Sequence, residues 1–421
     1  MSRPDSPTML SVDAARERVV AICAGRRMPV ESIPLHEAQG RVLAVDAVAG
    51  HDIPAFANSA MDGFALRGAD LPEVGERTFR ILATRLAGDA SSIQCGVGEC
   101  VRVTTGASMP GGVDTVIIKE RVRVEGGEII VSAGEQAGSH VRARGDDIAA
   151  GEIAVARGER IDFVRLGVLA TLGMARIPVH RRPRVRVLTT GDELVMPGDP
   201  CNTAQVYNSN GYSLAGMLRH IGIEPVGVHQ GESDLPFLHV RDERDLLGVA
   251  LLKAAADADV LVTSGSVSAG EADFLPGLIA ELGQVHFWKV RMRPGMPFLC
   301  GEIGRCLVFA LPGNPVSTMA TFHYLVRPGL EALLGSARVD LCTRHARLAA
   351  SITKRHERTE FLRGRLDFRE DGSLWVRPLA KQGSSMLRGM LDADAFIVMP
   401  ETSQSIAAGE PVQVIPFNDA Y

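Results

Sequence analysis

From residue 183 to about 334 the chain repeats one rhythm, and that rhythm restricts its fold more than any other feature: a short apolar run, a turn carrying glycine, then a helical stretch. The runs 185–188, 226–229, 260–263, 285–290 and 307–310 read as strands, whereas 212–221, 246–256, 274–282 and 316–334 carry apolar residues at helical spacing. Strands separated by helices are joined by crossovers. The expected architecture is therefore an α/β, doubly wound and mostly parallel sheet covered on both faces. Ligands of such sheets bind beyond the carboxyl ends of the strands, so the loops that follow each run are where chemistry is expected.

With 421 residues the chain exceeds what a single core serves, and its flanks read differently. Val12, Ala15, Val19, Ile22 and Cys23 recur at helical spacing behind Ser11 at the N-cap. Between about 64 and 155, apolar runs alternate with glycine-rich turns, which predicts mainly strand. Val164, Val168, Leu169 and Leu172 then restore a helical period. A β-rich stretch between two helical ones suggests one domain inserted in another. Short strands return after residue 338, at 347–352, 361–368, 375–378, 396–399 and 412–415, and predict a compact C-terminal β domain.

Several function classes are excluded by composition. A formal net charge of -5 gives no global attraction for nucleic acid, and the cluster Arg181, Arg182, Arg184 and Arg186 reads as the solvated entry to a strand. Seven cysteines without a CxxC pair suit neither a disulfide framework nor a zinc site. No stretch resembles a signal peptide or a membrane span of ~18 apolar residues. A cytoplasmic protein, free of membrane and nucleic acid, is expected.

Two strand-to-helix junctions look built for anions. Leu311-Pro312-Gly313-Asn314-Pro315-Val316-Ser317 places Asn314 at an N-cap and Pro315 at the first helical position, with free amides behind them. Ser264-Gly265-Ser266 occupies a second such junction. Either alone reads as ordinary turn and cap chemistry; the pair on one sheet edge points to a phosphate. Residues 265–270 share the spacing of a Walker A loop, but Glu271 stands where its lysine is required, so a P-loop is not expected. Glu193 and Asp273 follow two strand ends and are the preferred ligands for magnesium, which shares its coordination with substrate phosphates. Helix-terminal charge complementarity is the competing reading for such acids. Lys289, Arg291 and Arg293 alternate, so on one strand they would share a face and converge on Pro294-Gly295-Met296-Pro297, explained by an anionic ligand or by a charged edge strand.

At this point eight strings, in order, resemble one family: NSAMDGF (58–64), VTTG (103–106), 142–147, TGDEL (190–194), NSNG (208–211), TSGSVSAGEAD (263–273), 293–297 and LPGNPVS (311–317). The chain resembles the MoeA and gephyrin E-domain type of molybdopterin molybdenumtransferase from about residue 33 to the end. The resemblance implies an elongated linker domain (8–54 and 147–181), an inserted small β-rich domain (55–146), a central α/β domain of molybdopterin-binding type (182–335) and a C-terminal β-barrel (336–421). It implies insertion of molybdate into adenylylated molybdopterin with release of AMP, by a magnesium-dependent homodimer that works between a molybdopterin adenylyltransferase and the apoproteins of molybdoenzymes.

By the same resemblance Asp62, Glu193 and Asp273 would be catalytic, with Glu193 and Asp273 on magnesium. Substrate would be bound by Thr105, Arg142, Asp147, Ser264, Gly265, Lys289, Arg293, Pro312, Gly313, Asn314, Pro315 and Ser317, and from the C-terminal domain by Arg365 and Ser384. Asp62, Thr105, Arg142 and Asp147 would reach the cleft of the other subunit. The sequence departs from the family at Ser266 (often Gly), Met296 (often Lys) and Arg293 (often Lys), and it offers either Glu232 or Asp234 as a further carboxylate. Two other readings are weighed: a molybdopterin adenylyltransferase, which needs only the central domain, and a non-enzymatic scaffold, which would carry a long Pro/Ser-rich linker and a second α/β domain.

Overall fold

The structure, a computed structural model, describes residues 9–230, 233–268 and 273–417. Ser11 caps the first helix, α1 (Val12–Ala24), by accepting the amide of Ala14 at 3.2 Å. Its apolar stripe, Val12, Ala15, Val19 and Cys23, is buried in the same core as Phe309, Leu330 and Leu333 of the central unit. Gly329 permits this approach, since a Cβ there would lie 2.6 Å from Val19.

Val30–Pro34 pairs antiparallel with Arg176–His180, and Ala47–Val48 with Ile153–Val155, so the chain leaves this small unit after residue 48 and re-enters it before 153. Ile33, Leu43, Val155, Ile161, Ile177 and Val179 form its core, closed by helix α2 (Phe163–Thr171). The excursion folds as a sheet of β1 (Gly63–Leu66), β2 (Glu76–Arg85), β3 (Glu99–Val103), β4 (Thr115–Ile118), β5 (Val122–Glu125) and β6 (Glu128–Ser132), in the order β4-β1-β3-β2-β6-β5. Asn58–Ser59 paired with Val141–Arg142 makes its neck.

The central sheet contains β7 (Val185–Thr190), β8 (Leu238–Val240), β9 (Val260–Ser264), β10 (Gln284–Trp288), β12 (Leu299–Ile303) and β13 (Cys306–Leu311), while β11 (Met292–Arg293) leaves it for the next domain. Its order is β8-β7-β9-β13-β12-β10. The first four strands are parallel; β12 and β10 run antiparallel to their neighbours, so the sheet is mixed at one side. Helices α3 (Ser209–His220), α4 (Arg244–Ala256) and α5 (Leu275–Leu282) connect the parallel strands and the last α/β step.

Three sequence expectations fail here. The run 226–229 is not a full sheet strand: Val226 bonds to Val185, the chain then forms a hairpin of Val228–Gln230 with Ser233–Leu235, and the edge strand is β8. The helix expected over 316–334 is three segments, α6 (Pro315–Thr321), a π-helical stretch Phe322–Val326 and α7 (Arg327–Leu333). Pro328 has no amide to give to the turn before it, and a wider turn takes up the missing bond. Lys289, Arg291 and Arg293 do not alternate along one strand either. β10 ends at Trp288 and Lys289 turns to a φ of 69°, which breaks the period-two pattern.

In the C-terminal domain β14 (Arg344–Leu348), β15 (Thr359–Phe368), β16 (Leu374–Pro378), β17 (Ala395–Met399) and β18 (Pro411–Pro416) pair as β15-β16-β14-β18-β17 and back to β15, a closed five-stranded barrel. Closure leaves no edge among these five strands. Strand β11 is added alongside β15, with Met292 opposite Thr359 and Arg293 opposite Glu360. No helix among the described residues is long and apolar enough to cross a membrane.

Candidate active site

The chain runs from β7 outward to β8 and then crosses back to β9, so the connections diverge at the carboxyl ends of β7 and β9. A crevice is expected at such a point, and the loops there are drawn tightly together. Gly265 holds φ at 108°, and a Cβ on it would stand 2.3 Å from the carbonyl oxygen of Thr190. A Cβ on Gly313 would lie 3.6 Å from the Cα of Gly265. Ser264 Oγ donates to the carbonyl of Pro312 at 3.1 Å. Asn210 Nδ2 reaches both Ser264 Oγ, at 2.9 Å, and the Gly313 carbonyl, at 2.7 Å. Asn208 caps α3 by accepting the Gly211 amide at 3.1 Å and donates to Thr189 at 2.8 Å. The two junctions thus lie side by side, and the NSNG string is the clasp between them.

They border a cavity of about 690 Å³ lined by Glu193, Asp242, Asp273, Asn314 and Pro315 among others. None of its described lining residues is basic. Sequence reading did not find Asp242, because it placed the edge strand too early. Asp234 is an exposed hairpin residue paired with His229, and Glu232 lies outside the described residues. Once β8 is located, Asp242 occupies the position expected of a strand-end acid. Its Oδ1 accepts hydroxyls from both Thr190 and Ser266. Ser266 itself sits at a φ of 44°, in the left-handed region that favours a residue without Cβ. Asp273 accepts the hydroxyl of Ser268 at 2.5 Å. Among the described residues no three His, Cys, Asp or Glu side chains converge into a preformed metal site.

Pro297 also lines a second cavity of about 430 Å³, at the seam with the barrel, together with Arg293, Met296, Ser317, Arg358, Gln382, Gly383 and Ser384. Arg293 Nε is 3.5 Å from Glu360, and Arg358 Nη1 is 3.6 Å from the Met296 sulfur. Asn314 occupies the N-cap of α6 without a side-chain cap bond, and the amide of Val316 is taken by the Ser384 carbonyl at 3.0 Å, so this helix start offers fewer free amides than its sequence suggests. Lys289 lines neither cavity; its ammonium lies 4.5 Å from the Trp288 ring centroid. Arg365 is exposed on β15, opposite Arg377, also outside both. Arg358, unremarked in the sequence, stands where a cation from the barrel was sought.

The residues expected from the inserted unit are exposed and line none of these cavities within the chain. Asp62 accepts the Thr105 amide at 2.9 Å and its hydroxyl at 3.0 Å, with Lys119 at 3.6 Å. Those bonds, the backbone one foremost, hold its carboxyl below the usual range. Arg142 pairs across the neck with Asn58, and the Asp147 amide bonds to the Ile53 carbonyl at 3.0 Å. Burial pushes the thiols of Cys100, Cys300 and Cys306 up to about 12, so none of them supplies a thiolate near neutrality.

Comparison with known proteins agrees along the whole chain. Residues 10–173 match the MoeA N-terminal region (domain I and II), 186–332 a probable molybdopterin binding domain, and 345–417 the MoeA C-terminal region (domain IV). A molybdopterin molybdenumtransferase of Haemophilus influenzae is 33% identical over 416 residues, covering 97% of this chain and 99% of that one. One from Bacillus subtilis is 32% identical over 417 residues, covering 97% and 94%. The crystal structure of a molybdopterin biosynthesis MoeA protein from Pyrococcus horikoshii superposes with a TM-score of 0.81 at 26% identity, covering 97% of this chain and 100% of that one.

Proposed function

The chain belongs to the MoeA family, and on that premise we propose that it inserts molybdenum into molybdopterin, taking adenylylated molybdopterin and molybdate and releasing AMP. The observation that carries the reading is a division of charge. Among the described residues the larger cavity gathers strand-end loops and three carboxylates with no basic lining, while the adjoining smaller one presents two arginines and two serines beside a single carboxylate, Glu360, which pairs with Arg293. A pterin pyrophosphate suits the first only if cations accompany it; a tetrahedral dianion suits the second, where two arginines outnumber one carboxylate.

Magnesium fits the larger cavity. Glu193, Asp242 and Asp273 are hard oxygen donors that form no closed cage, which suits an ion that keeps several waters and completes its shell with phosphate oxygens. When bound, it would neutralise the pyrophosphate and the departing AMP phosphate. The protein's own part is positioning. Ser264, Gly265 and the Pro312–Asn314 loop hold the phosphorylated end against the strand ends, and Arg293, Arg358, Ser317 and Ser384 hold molybdate beside the dithiolene. Bond formation to molybdenum belongs to the dithiolene sulfurs, which agrees with the protonated state of the buried cysteines.

In this reading a second copy completes the larger cavity, with Arg142 as its one base. Asp62, Thr105, Arg142 and Asp147 line neither of the two cavities of their own chain, and a cytoplasmic homodimer would bring those of the partner subunit to the larger one. An adenylyltransferase is the weaker reading, because the resemblance extends through the inserted unit and the barrel. The deciding experiment incubates the protein with adenylylated molybdopterin and magnesium and follows AMP. Release that requires molybdate is expected; release indifferent to molybdate would refute the assignment.

A further inference from the structure

Where the small unit meets the central core, another cavity, of about 260 Å³, is walled by Arg27, Arg157 and His180 together with Ala44 and the turn 335–337. It shares no lining residue with the two cavities of the candidate site, and no described carboxylate lines it. Arg27 and Arg157 are exposed, and neither guanidinium has a partner among the described residues. Asp46 accepts the Arg157 amide at 2.7 Å without entering the lining. His180, in contrast, is only 8% exposed. Its Nδ1 lies 2.7 Å from the Met28 carbonyl, so that nitrogen carries the hydrogen, and Nε2 is left as an acceptor with no partner among the described residues. A Cβ on Gly335 would stand 2.6 Å from Nε2 and 3.0 Å from the Arg27 Cδ, which places the imidazole and the arginine stem at the same glycine.

Counter-charge for the end of α7 does not account for these bases. Cations do favour a helix C-terminus, but the carbonyls of Leu330, Glu331, Ala332 and Leu333 are already taken by the amides of Leu334, Ser336, Gly335 and Met28, at 3.0, 3.0, 3.0 and 2.8 Å. A small anion answers both the uncompensated charge and the unpartnered buried nitrogen. Monohydrogen phosphate matches them most closely, because its charged oxygens can accept from two guanidiniums while its P–OH donates to Nε2. Sulfate and molybdate have the same shape but no hydrogen to give.

We propose that this cavity is a site for inorganic phosphate, held by Arg27, Arg157 and His180 and separate from the substrate cavities. Its position gives binding a mechanical effect. Arg27 follows α1, which is buried in the central core, whereas His180 ends one strand of the small unit and Arg157 lies just beyond another, Ile153–Val155. The chain between α7 and the barrel already touches the small unit here, through the Ala337 amide and the Gly158 carbonyl at 2.8 Å. A phosphate bridging the three bases clamps the small unit, and the inserted unit carried on it, to the central core.

Phosphate titration calorimetry on the full-length protein and on its Arg27→Ala/Arg157→Ala double variant tests the site. The variant removes two exposed side chains without partners, so it should unfold at the parent's temperature in phosphate-free buffer while losing phosphate affinity roughly tenfold or more. No detectable binding by the parent, or an unchanged affinity in the variant, overturns the proposal. Location is read on the parent alone. Phosphate should protect Arg27 and Arg157 from phenylglyoxal, mapped by peptide mass spectrometry, and equal modification with and without phosphate overturns the site. Sulfate titrated in the same way should bind more weakly; equal affinity overturns the part given to His180. Phosphate should also slow amide hydrogen exchange at Gly158 and Ala337, and binding that leaves both rates unaltered overturns the clamp.

Discussion

Ser266 combines a backbone penalty with a side-chain gain, and two substitutions take them apart. Its φ of 44° lies in the left-handed region, and its hydroxyl donates to Asp242. Ser266→Ala keeps the backbone term and removes the donor. A hydrogen bond to a charged acceptor contributes about 1.5–3 kcal/mol, and because Thr190 still serves Asp242 the lower end applies. Ser266→Gly loses the same donor but escapes a left-handed penalty of about 1–2 kcal/mol. Glycine gives back about 0.5–1 kcal/mol of that through the freedom of its unfolded chain. The expected stability order is parent, then Gly, then Ala, with Gly above Ala by about 0.5–1 kcal/mol. Trp288 is a suitable reporter, since its indole donates to the Val267 carbonyl at 3.0 Å; Trp375, the second of the two tryptophans, is replaced by Phe throughout. Urea titrations followed by Trp288 fluorescence give the order, and AMP release measured alongside should be alike in both variants, because both lose the hydroxyl. An alanine variant as stable as the glycine one would refute the backbone argument.

Three further outcomes are expected. Asp273→Asn should keep the fold by circular dichroism and lower AMP release roughly a hundredfold, as expected for loss of a charge that holds magnesium; undiminished turnover removes Asp273 from that role. Mixing inactive Asp62 and Asp273 variants should restore part of the activity, because one of the two sites in a mixed dimer is intact, and no recovery in verified heterodimers counts against a shared cleft. Arg358→Ala should weaken molybdate binding roughly tenfold or more while Arg365→Ala leaves it alone, and calorimetry showing the reverse would return the role to Arg365.

Much of the site was legible because it rests on local signals. Gly265, the Pro312–Ser317 loop and Asn208 carry turn and cap chemistry that a sequence displays directly, and the fold brings them together. What failed depended on long-range placement. The true edge strand β8 is only three residues long and follows a hairpin that carries its own apolar run, so Asp242 was hidden behind a plausible competitor. Lys289 was misread because one residue of left-handed backbone breaks a strand without changing its apolar pattern. Arg358 just precedes β15 and Arg365 lies within it, seven positions on, an odd spacing that a regular strand turns to opposite faces; which face meets the seam is set by long-range pairing, not by local pattern.

Strand β11 comes from the central unit yet hydrogen-bonds into the barrel beside β15. A rigid-body swing of the barrel would have to break that two-residue ladder or carry β11 with it. The two units should therefore lose their structure together rather than one after the other on denaturation.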